Sequence, residues 1–386
     1  MPLITRIRSH SFNVSDKTNW FFICVETDDG ARGWGEASLN GWEPLLEAAT
    51  GLRAAELTGL DLDDAAERVR PAPQSPGGLI TNAVASALQQ AMADLQAQGQ
   101  GLPLHALLGK PQRSHVPVYA NINRATTDRR PASFAATAAR ARESGFRAFK
   151  SAPFDEVTPA NCATAQGQAL IRHGVECVLA IRDEVGPDAL VMVDCHWRFD
   201  EARAIEVLKA LAPAELHWFE CPLAETHANW PALRRIRAAA KTQGVLLAAA
   251  ETQVGLASFE MLFAEGLYDV VMPDVKYCGG PREMLRIAER ASACGVVFSP
   301  HNPTGPVCTL ASLHVAAVAP HCRMLELQFG ESPLYNALVS HRHPKLEDGG
   351  FAVPRTPGLG AALDEALLGA HPYRAVQFGI ETLMAG

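Results

Sequence analysis

From residue 116 onward, eight short apolar, β-prone runs recur along the chain: VPVYANI, AFKSA, ALVMVD, LHWFE, VLLAAAE, YDVVMPD, GVVFSP and RMLELQ. Helical stretches rich in Ala, Leu, Arg and Glu separate them, among them PASFAATAARARESG, DEARAIEVLKALA, WPALRRIRAAAKT and GPREMLRIAERASACG. Strands alternating with helices must pair in parallel, and roughly eight such units close into a (β/α) barrel. An open doubly wound sheet is the rival. The chain carries neither a G-x-G-x-x-G fingerprint nor a P-loop, which favours the barrel.

The ends of these runs matter most for chemistry. Asp194, Glu220, Glu251, Asp274, His301 and Glu326 end, follow or lie in successive runs, at steps of 26, 31, 23, 27 and 25 residues. A barrel of ~250 residues advances about 31 residues per unit, so these groups would converge on its C-terminal rim. One acidic residue after an apolar run is ordinarily a helix N-cap or turn former. Six titratable groups in consecutive units are not explained that way. Asp194, Glu220 and Glu251 on adjacent strands would repel unless a cation neutralised them. Oxygen donors select a hard divalent ion, Mg²⁺ first and Mn²⁺ as its substitute, and no Cys/His set competes for zinc. A histidine beside prolines is by itself a loop residue. With Asp274 one unit earlier to orient and stabilise its imidazole, His301 becomes a candidate general base. In LVMVDCHWRF, extended backbone past Asp194 would place Asp194 and His196 side by side. That is either a strand-to-turn boundary or part of an active site.

The first part of the chain is α+β. LITRIRSHSFNV, NWFFICVETDDG and ARGWGEAS are strand-like, with a turn at Asp28-Asp29-Gly30, and helices follow, ITNAVASALQQAMADLQAQGQG the strongest. We expect an α+β capping domain over 1–115, the barrel over 116–329, and a C-terminal segment, 330–386, that returns to complete the cap. With 48% hydrophobic and 20% charged residues the composition is that of a soluble globular protein. A net charge of −8 gives no reason to expect nucleic acid or an anionic membrane as partner. Nine cysteines without a C-x-x-C pair argue against a zinc cluster or disulfide framework and fit a reducing cytosol. The start, MPLITRIRSHSFNVSD, lacks the apolar core of a signal peptide, and no run approaches the ~20 residues of a membrane span. A cytoplasmic protein acting on a small molecule is expected.

Jointly, GWGEAS, ALQQAMADLQAQGQGLPLHALLGK, GFRAFK, VGPDALVMVDCHW, HWFECPL, AAAET, VVMPDVKYCGG and SPHNPTGPVCTLASLHVAA resemble the enolase superfamily, in particular its mandelate racemase-like subgroup, over nearly the whole chain. The resemblance implies Mg²⁺ on Asp194, Glu220 and Glu251, and a base dyad of His301 with Asp274. It further implies Glu326 as a protonated acid that hydrogen-bonds a substrate carboxylate. Lys150 matches the first lysine of a K-x-K motif and would donate to that carboxylate or offset the acidic cluster. The shared chemistry is removal of a proton α to a carboxylate, with the enediolate stabilised by cations. Ala152 stands where K-x-K members have the second lysine, so two-base racemisation with that lysine is unavailable. D-C-H, with His196 last, resembles the D-x-H of the galactonate and mannonate dehydratases, in which that histidine is a general acid. The alternative is a histidine that only steadies Asp194.

The resemblance therefore implies an acid-sugar dehydratase acting on an aldonate or aldarate. The rivals are an epimerase, a cycloisomerase or a dehydratase of another carboxylate (a hydroxyproline derivative, an aldarolactone) and, from a different class, a non-catalytic ligand-binding barrel. Cap loops 15–20 and 39–43 would set specificity, through Trp20, Asn40 and Trp42. Arg124 and Arg198 would meet a second carboxylate, if there is one. A homo-oligomer is expected by the same resemblance, with its copy number unreadable.

Overall fold

A computed structural model describes residues 2–75, 77–339, 344–360 and 362–376; the remainder of the C-terminal segment 330–386 lies outside them. Strands β1 (Ile4–Ser15), β2 (Thr18–Thr27) and β3 (Arg32–Glu36) form an antiparallel meander in sequence order. Gly30, at φ +83°, supplies the left-handed turn between β2 and β3, where the Asp29 carboxylate accepts from the Thr27 hydroxyl and the Ala31 N–H. Helices α1 (Glu43–Leu57), α2 (Leu62–Arg68), α3 (Gly78–Gly99) and α4 (Leu104–Leu108) follow. The long helix α3 lies directly on β3. A Cβ on Gly35 would come within 1.8 Å of the Ala87 carbonyl oxygen, and one on Gly33 within 2.2 Å of that of Ala91. The glycines of GWGEAS therefore permit strand and helix backbones to touch.

The parallel strands β4 (His115–Asn121), β5 (Ala148–Ser151), β6 (Leu190–Asp194), β7 (Trp218–Glu220), β8 (Leu246–Ala249), β9 (Val270–Val271) and β10 (Val297–Phe298) pair in sequence order. β11 (Leu325–Gln328) pairs in parallel with β4, and a Phe298–Cys322 bridge joins β10 to its approach, so the ring closes. Between the strands run α5 (Pro131–Glu143), α6 (Ala165–Val185), α7 (Glu201–Ala210), α8 (Trp230–Lys241), α9 (Gly255–Ala264), α10 (Gly280–Ala293) and α11 (Pro306–Val318). Among the described residues the count is eight strands and seven intervening helices, one helix short of eight full units. After β11 the chain instead makes the short α12 (Leu334–Leu338) and a hairpin, β12 (Leu346–Glu347) with β13 (Gly350–Ala352), which pairs antiparallel with the start of β4.

Tyr119, Met192, Trp218, Ala248, Val270 and Met272 fill the barrel interior, while Val191, Val193, Phe219 and Leu247 face the helices. This two-sided burial explains the uninterrupted apolar runs. The C-terminal segment then crosses back to the cap. α13 (Glu365–Ala370) packs on β1, the Asn13 N–H donates to the His371 carbonyl, and the Leu359 N–H donates to Asp94 of α3 at 2.8 Å. Among the described residues no helix is long and apolar enough to cross a membrane.

His314 of α11 stacks on His105 of α4, with ring centroids 5.3 Å apart, and its Nε2 meets the Leu359 carbonyl at 3.2 Å. Burial pushes the His314 imidazole down to about 3, although the Leu359 carbonyl favours its charged form. In the unfolded chain this group titrates near 6.5, so on acidification the unfolded state takes up the proton first. Its contribution is complete above that value and is lost as pH falls from there toward the folded value. Urea titrations should show roughly 2 kcal/mol lost from this group between neutrality and pH ~5. His314→Gln should flatten that slope, and an unchanged slope would refute the assignment.

Candidate active site

The strand ends bring the acidic residues together by register. Asp194 on β6 is the cross-strand partner of Glu220 on β7, and Glu220 of Ala248 on β8, three residues before Glu251. At these ends the backbone leaves the strands through residues with positive φ: His196 (44°), Trp197 (57°), Cys221 (44°) and Ala250 (83°). Non-glycine residues adopt this region at a cost, and such positions cluster where a site demands them. Asp194 and His196 therefore meet through a turn rather than along a continued strand. The His196 N–H donates to Asp194 Oδ1 at 2.9 Å, and its Nε2 lies 2.8 Å from Oδ2.

Charge is concentrated here. Asp194, Glu220, Glu251 and Glu326 are all buried, and Lys150 on β5 is the lysine among them. Its Nζ lies 2.7 Å from Glu220 Oε1, 2.9 Å from Glu326 Oε1 and 3.9 Å from Asp194 Oδ2. Burial pushes Glu220 well above the usual carboxylate range, with Asp194, Glu326 and Glu251 adding repulsion that Lys150 only partly answers. Burial and Asp194 push Glu251 up to about 8. Asp194 goes the other way: burial opposes its charge, but the adjacent His196 holds it below the usual range. Burial likewise disfavours a charged His196, yet Asp194 beside it raises the imidazole above its usual value.

Two acids raised in this way mark a site with more negative charge than its own cations neutralise. That is the electrostatic condition for a bound divalent cation, and the oxygen donors suit a hard one. Among the described residues Asp194, Glu220 and Cys221 offer ligand atoms that all lie within 4.8 Å of one another. Glu251 is outside that group, its Oε2 3.9 Å from Cys221 Sγ. A thiol thus stands in reach where no Cys/His competitor was expected. Burial and the surrounding carboxylates, Glu251 first, keep it protonated, and a protonated thiol is a poor ligand.

Across the mouth, His301 Nδ1 lies 2.7 Å from Asp274 Oδ2, while its Nε2 is 3.6 Å from Glu251 Oε2 and 3.9 Å from Glu326 Oε2. Asp274 is also held by Lys276, through the backbone N–H at 2.8 Å and through Nζ. Burial opposes charge on Asp274, but Lys276 and His301 bring it below the usual range. Sequence reasoning missed Lys276. Its signal was the VKY after Asp274, which reads as the start of a turn unless the partner carboxylate is already known to be buried.

A cavity of about 580 Å³ opens between cap and barrel. Asp194, His196, Glu251 and His301 line it from the barrel, Trp20 and Asn40 from the cap, and Arg124 from the end of β4. Lys276, Tyr277, Asn123, Thr126 and Arg129 line it too and were not anticipated. Several expected residues do not reach it. Lys150 lies beneath the carboxylates, 1% exposed, and offsets their charge rather than facing a ligand. Glu326 accepts from Lys150, Asn121 and the Asn302 N–H. Burial opposes its charge, but Lys150 and His301 bring it below the usual carboxylate range, the opposite direction from the protonated donor expected. Trp42 packs into the cap's own core at the start of α1. Arg198 is spent on the carbonyls of Asp155 and Val157.

Two family models match the chain: the mandelate racemase/muconate lactonizing enzyme N-terminal domain over residues 5–109, and the enolase C-terminal domain-like family over residues 133–367. A D-galactonate dehydratase of Variovorax paradoxus (strain S110) is 29% identical over 371 residues, covering 94% of this chain and 92% of that protein. One from Xanthomonas euvesicatoria pv. vesicatoria (strain 85-10) is 30% identical over 358 residues, 90% of each. The crystal structure of a mandelate racemase/muconate lactonizing enzyme from Jannaschia sp. CCS1 superposes with a TM-score of 0.84 at 26% identity, covering 98% of this chain and 99% of that one. With cap and barrel each matched, the chain belongs to the mandelate racemase/muconate lactonizing enzyme family of the enolase superfamily.

Proposed function

We propose that the chain is an Mg²⁺-dependent dehydratase of acid sugars, with Mn²⁺ as a substitute ion. One observation carries this reading: two imidazoles, each bonded to its own carboxylate, line a single cavity on strands four apart in a ring of eight. His301, beyond β10, is placed to take the proton from C2 through Nε2, since Asp274 occupies Nδ1. His196, beyond β6, is raised by Asp194 and is placed to give its proton to the departing C3 hydroxyl. The enol left after loss of water tautomerises to a 2-keto-3-deoxy acid. A divalent ion held by Asp194, Glu220 and Glu251 would supply positive charge to the substrate carboxylate as the second negative charge develops.

Racemisation is disfavoured because it needs bases on both faces of the α-carbon. Ala152 offers none, and Lys276 shares Asp274 with His301, so both stand on one wall. A non-catalytic binding barrel would have no use for the two histidine–carboxylate pairs.

The distal wall favours an aldonate over an aldarate. Arg124 is paired with Glu331 at 2.9 Å, and Arg129 is held by Asp155 and the carbonyls of Asn123, Thr126 and Ala152. With Arg198 also engaged, a second carboxylate would have to displace an existing partner. The side-chain amides of Asn40 and Asn123 and the Thr127 hydroxyl instead offer groups suited to a polyol. The curated relatives named above, D-galactonate dehydratases, point the same way.

Screening aldonates and aldarates with Mg²⁺, with semicarbazide to detect keto acid, should give turnover on an aldonate. Turnover confined to aldarates would overturn the distal-wall argument. His301→Asn should keep Mg²⁺ binding but lose both C2–hydrogen exchange in D₂O and dehydration by about 10²-fold or more. His196→Asn should spare exchange while suppressing dehydration, and equal loss of both would refute its role as the acid. Calorimetric titration should show Mg²⁺ bound more than about 10-fold more weakly by Asp194→Asn. Undiminished affinity would remove Asp194 from the ligand set.

A further inference from the structure

Glu36 ends β3 in the GWGEAS motif and is fully buried, and the chemistry above gives it no part. Its carboxylate lies over the first turn of α11, on the other domain. Oε1 accepts from the Thr304 hydroxyl at 2.6 Å, the Ser38 hydroxyl at 2.7 Å and the Gly305 N–H at 2.8 Å. Oε2 accepts from the Cys308 N–H at 3.0 Å. Helix α11 has no side-chain cap of its own: its N-cap is Gly305, and Pro306 follows with no N–H to give. The donors that a helix start leaves open are thus met by a carboxylate from the cap domain, where the helix dipole also favours negative charge. The approach is so close that a Cβ on Gly305 would lie 2.7 Å from Glu36 Oε1 and 3.0 Å from the Trp20 ring.

The five residues 301–305 connect the candidate base to this contact, and His301, Pro303 and Thr304 line the cavity. At the barrel end, the Asn302 N–H donates to Glu326 Oε2 at 3.0 Å, and its side-chain amide donates to Thr309 at 2.7 Å. At the cap end, Glu36 is itself fixed by α3: its N–H donates to Gln90 Oε1 at 3.2 Å and its carbonyl accepts from Gln90 Nε2 at 3.1 Å. A short segment with a proline at its centre is therefore pinned from both domains. We infer that Glu36 is a positioning residue, through which docking of the cap fixes the loop that aims His301. The catalytic consequence rests on the proposed proton abstraction by His301, whereas the positional consequence does not.

The test uses the full chain with Glu36→Ala and the conservative Glu36→Gln. Hydrogen–deuterium exchange should speed up at residues 303–309 in the alanine variant. The His301 imidazole resonance, assigned through His301→Asn, should shift. On a turned-over substrate, kcat and C2–hydrogen exchange should fall about 10- to 100-fold. KM and Mg²⁺ affinity should move by less than about threefold, and Glu36→Gln should recover part of the loss. A raised KM at unchanged kcat, or wild-type amide exchange and an unmoved His301 signal, would overturn the inference. If the alanine variant fails to fold, the glutamine variant carries the same comparison. A wild-type protein that exchanges no α-hydrogen would sink the dehydratase reading, and the imidazole and amide measurements would then decide this one.

Discussion

Everything at the barrel mouth depends on one ammonium group. Lys150 Nζ sits between Glu220 and Glu326, within reach of Asp194, in a place with almost no water. Burying several carboxylates around a single lysine is expensive, and removing one partner from such a set typically costs more than the set contributes. The arrangement also depends on ring closure. Glu326 reaches Lys150 only because β11 pairs with β4, whose last residue, Asn121, donates to the same carboxylate at 2.8 Å. Topology and electrostatics are thus one constraint: an open sheet would leave Lys150 without Glu326, and Glu326 without Asn121.

The excess negative charge that remains defines what the site can do. It leaves Glu220 and Glu251 poorly ionised without further positive charge, while Asp194, paired with His196, is ionised outright. The same pairing raises the His196 imidazole above its usual value. The paired Asp194 and the incompletely neutralised acids beside it therefore arise from one asymmetry: His196 pairs with Asp194, while Lys150 alone answers both Glu220 and Glu326. The cap matters because the cavity needs it: Trp20 and Asn40 form the side that the barrel lacks.

The sequence made the barrel legible because period and burial leave a mark at every unit. Eight apolar runs, each buried on both faces, could be counted, and the titratable residues at their ends fell about one unit apart. What it hid lies where the backbone leaves the strands. The meeting of Asp194 with His196 looked like extended geometry and is a left-handed turn, which alternation of side chains does not encode. β9 and β10 are two residues each, so Asp274 and His301 stand beyond them on loops held by tertiary contacts. Lys276 could not be assigned without knowing that Asp274 is buried. Trp42 and Arg198 were placed by loop position alone, and packing sent one into the cap core and the other to backbone carbonyls. For Lys150 the sequence leaves open donation to a ligand or offsetting the acidic cluster, and for Glu326 it implies a role facing a ligand, whereas their mutual attraction holds both beneath the surface of the cavity.

The position of Lys276 also bears on the single-base chemistry proposed for this cavity. A second base would have to approach the α-carbon from the wall opposite His301, on the strands near β5 and β6. On β5 the side chain two residues past Lys150 is Ala152, which cannot take a proton, and Lys150 is bound to two carboxylates. Beyond β6, His196 is paired with Asp194, which raises the imidazole and favours its acid form. The wall facing His301 is therefore supplied with a proton donor and no acceptor. A carbanion equivalent formed by His301 would find, on the far side, a group able to expel a hydroxyl but none that could have removed the mirror-related proton. The asymmetry of the two walls argues for elimination in one direction rather than inversion, and it follows from which histidine each carboxylate holds.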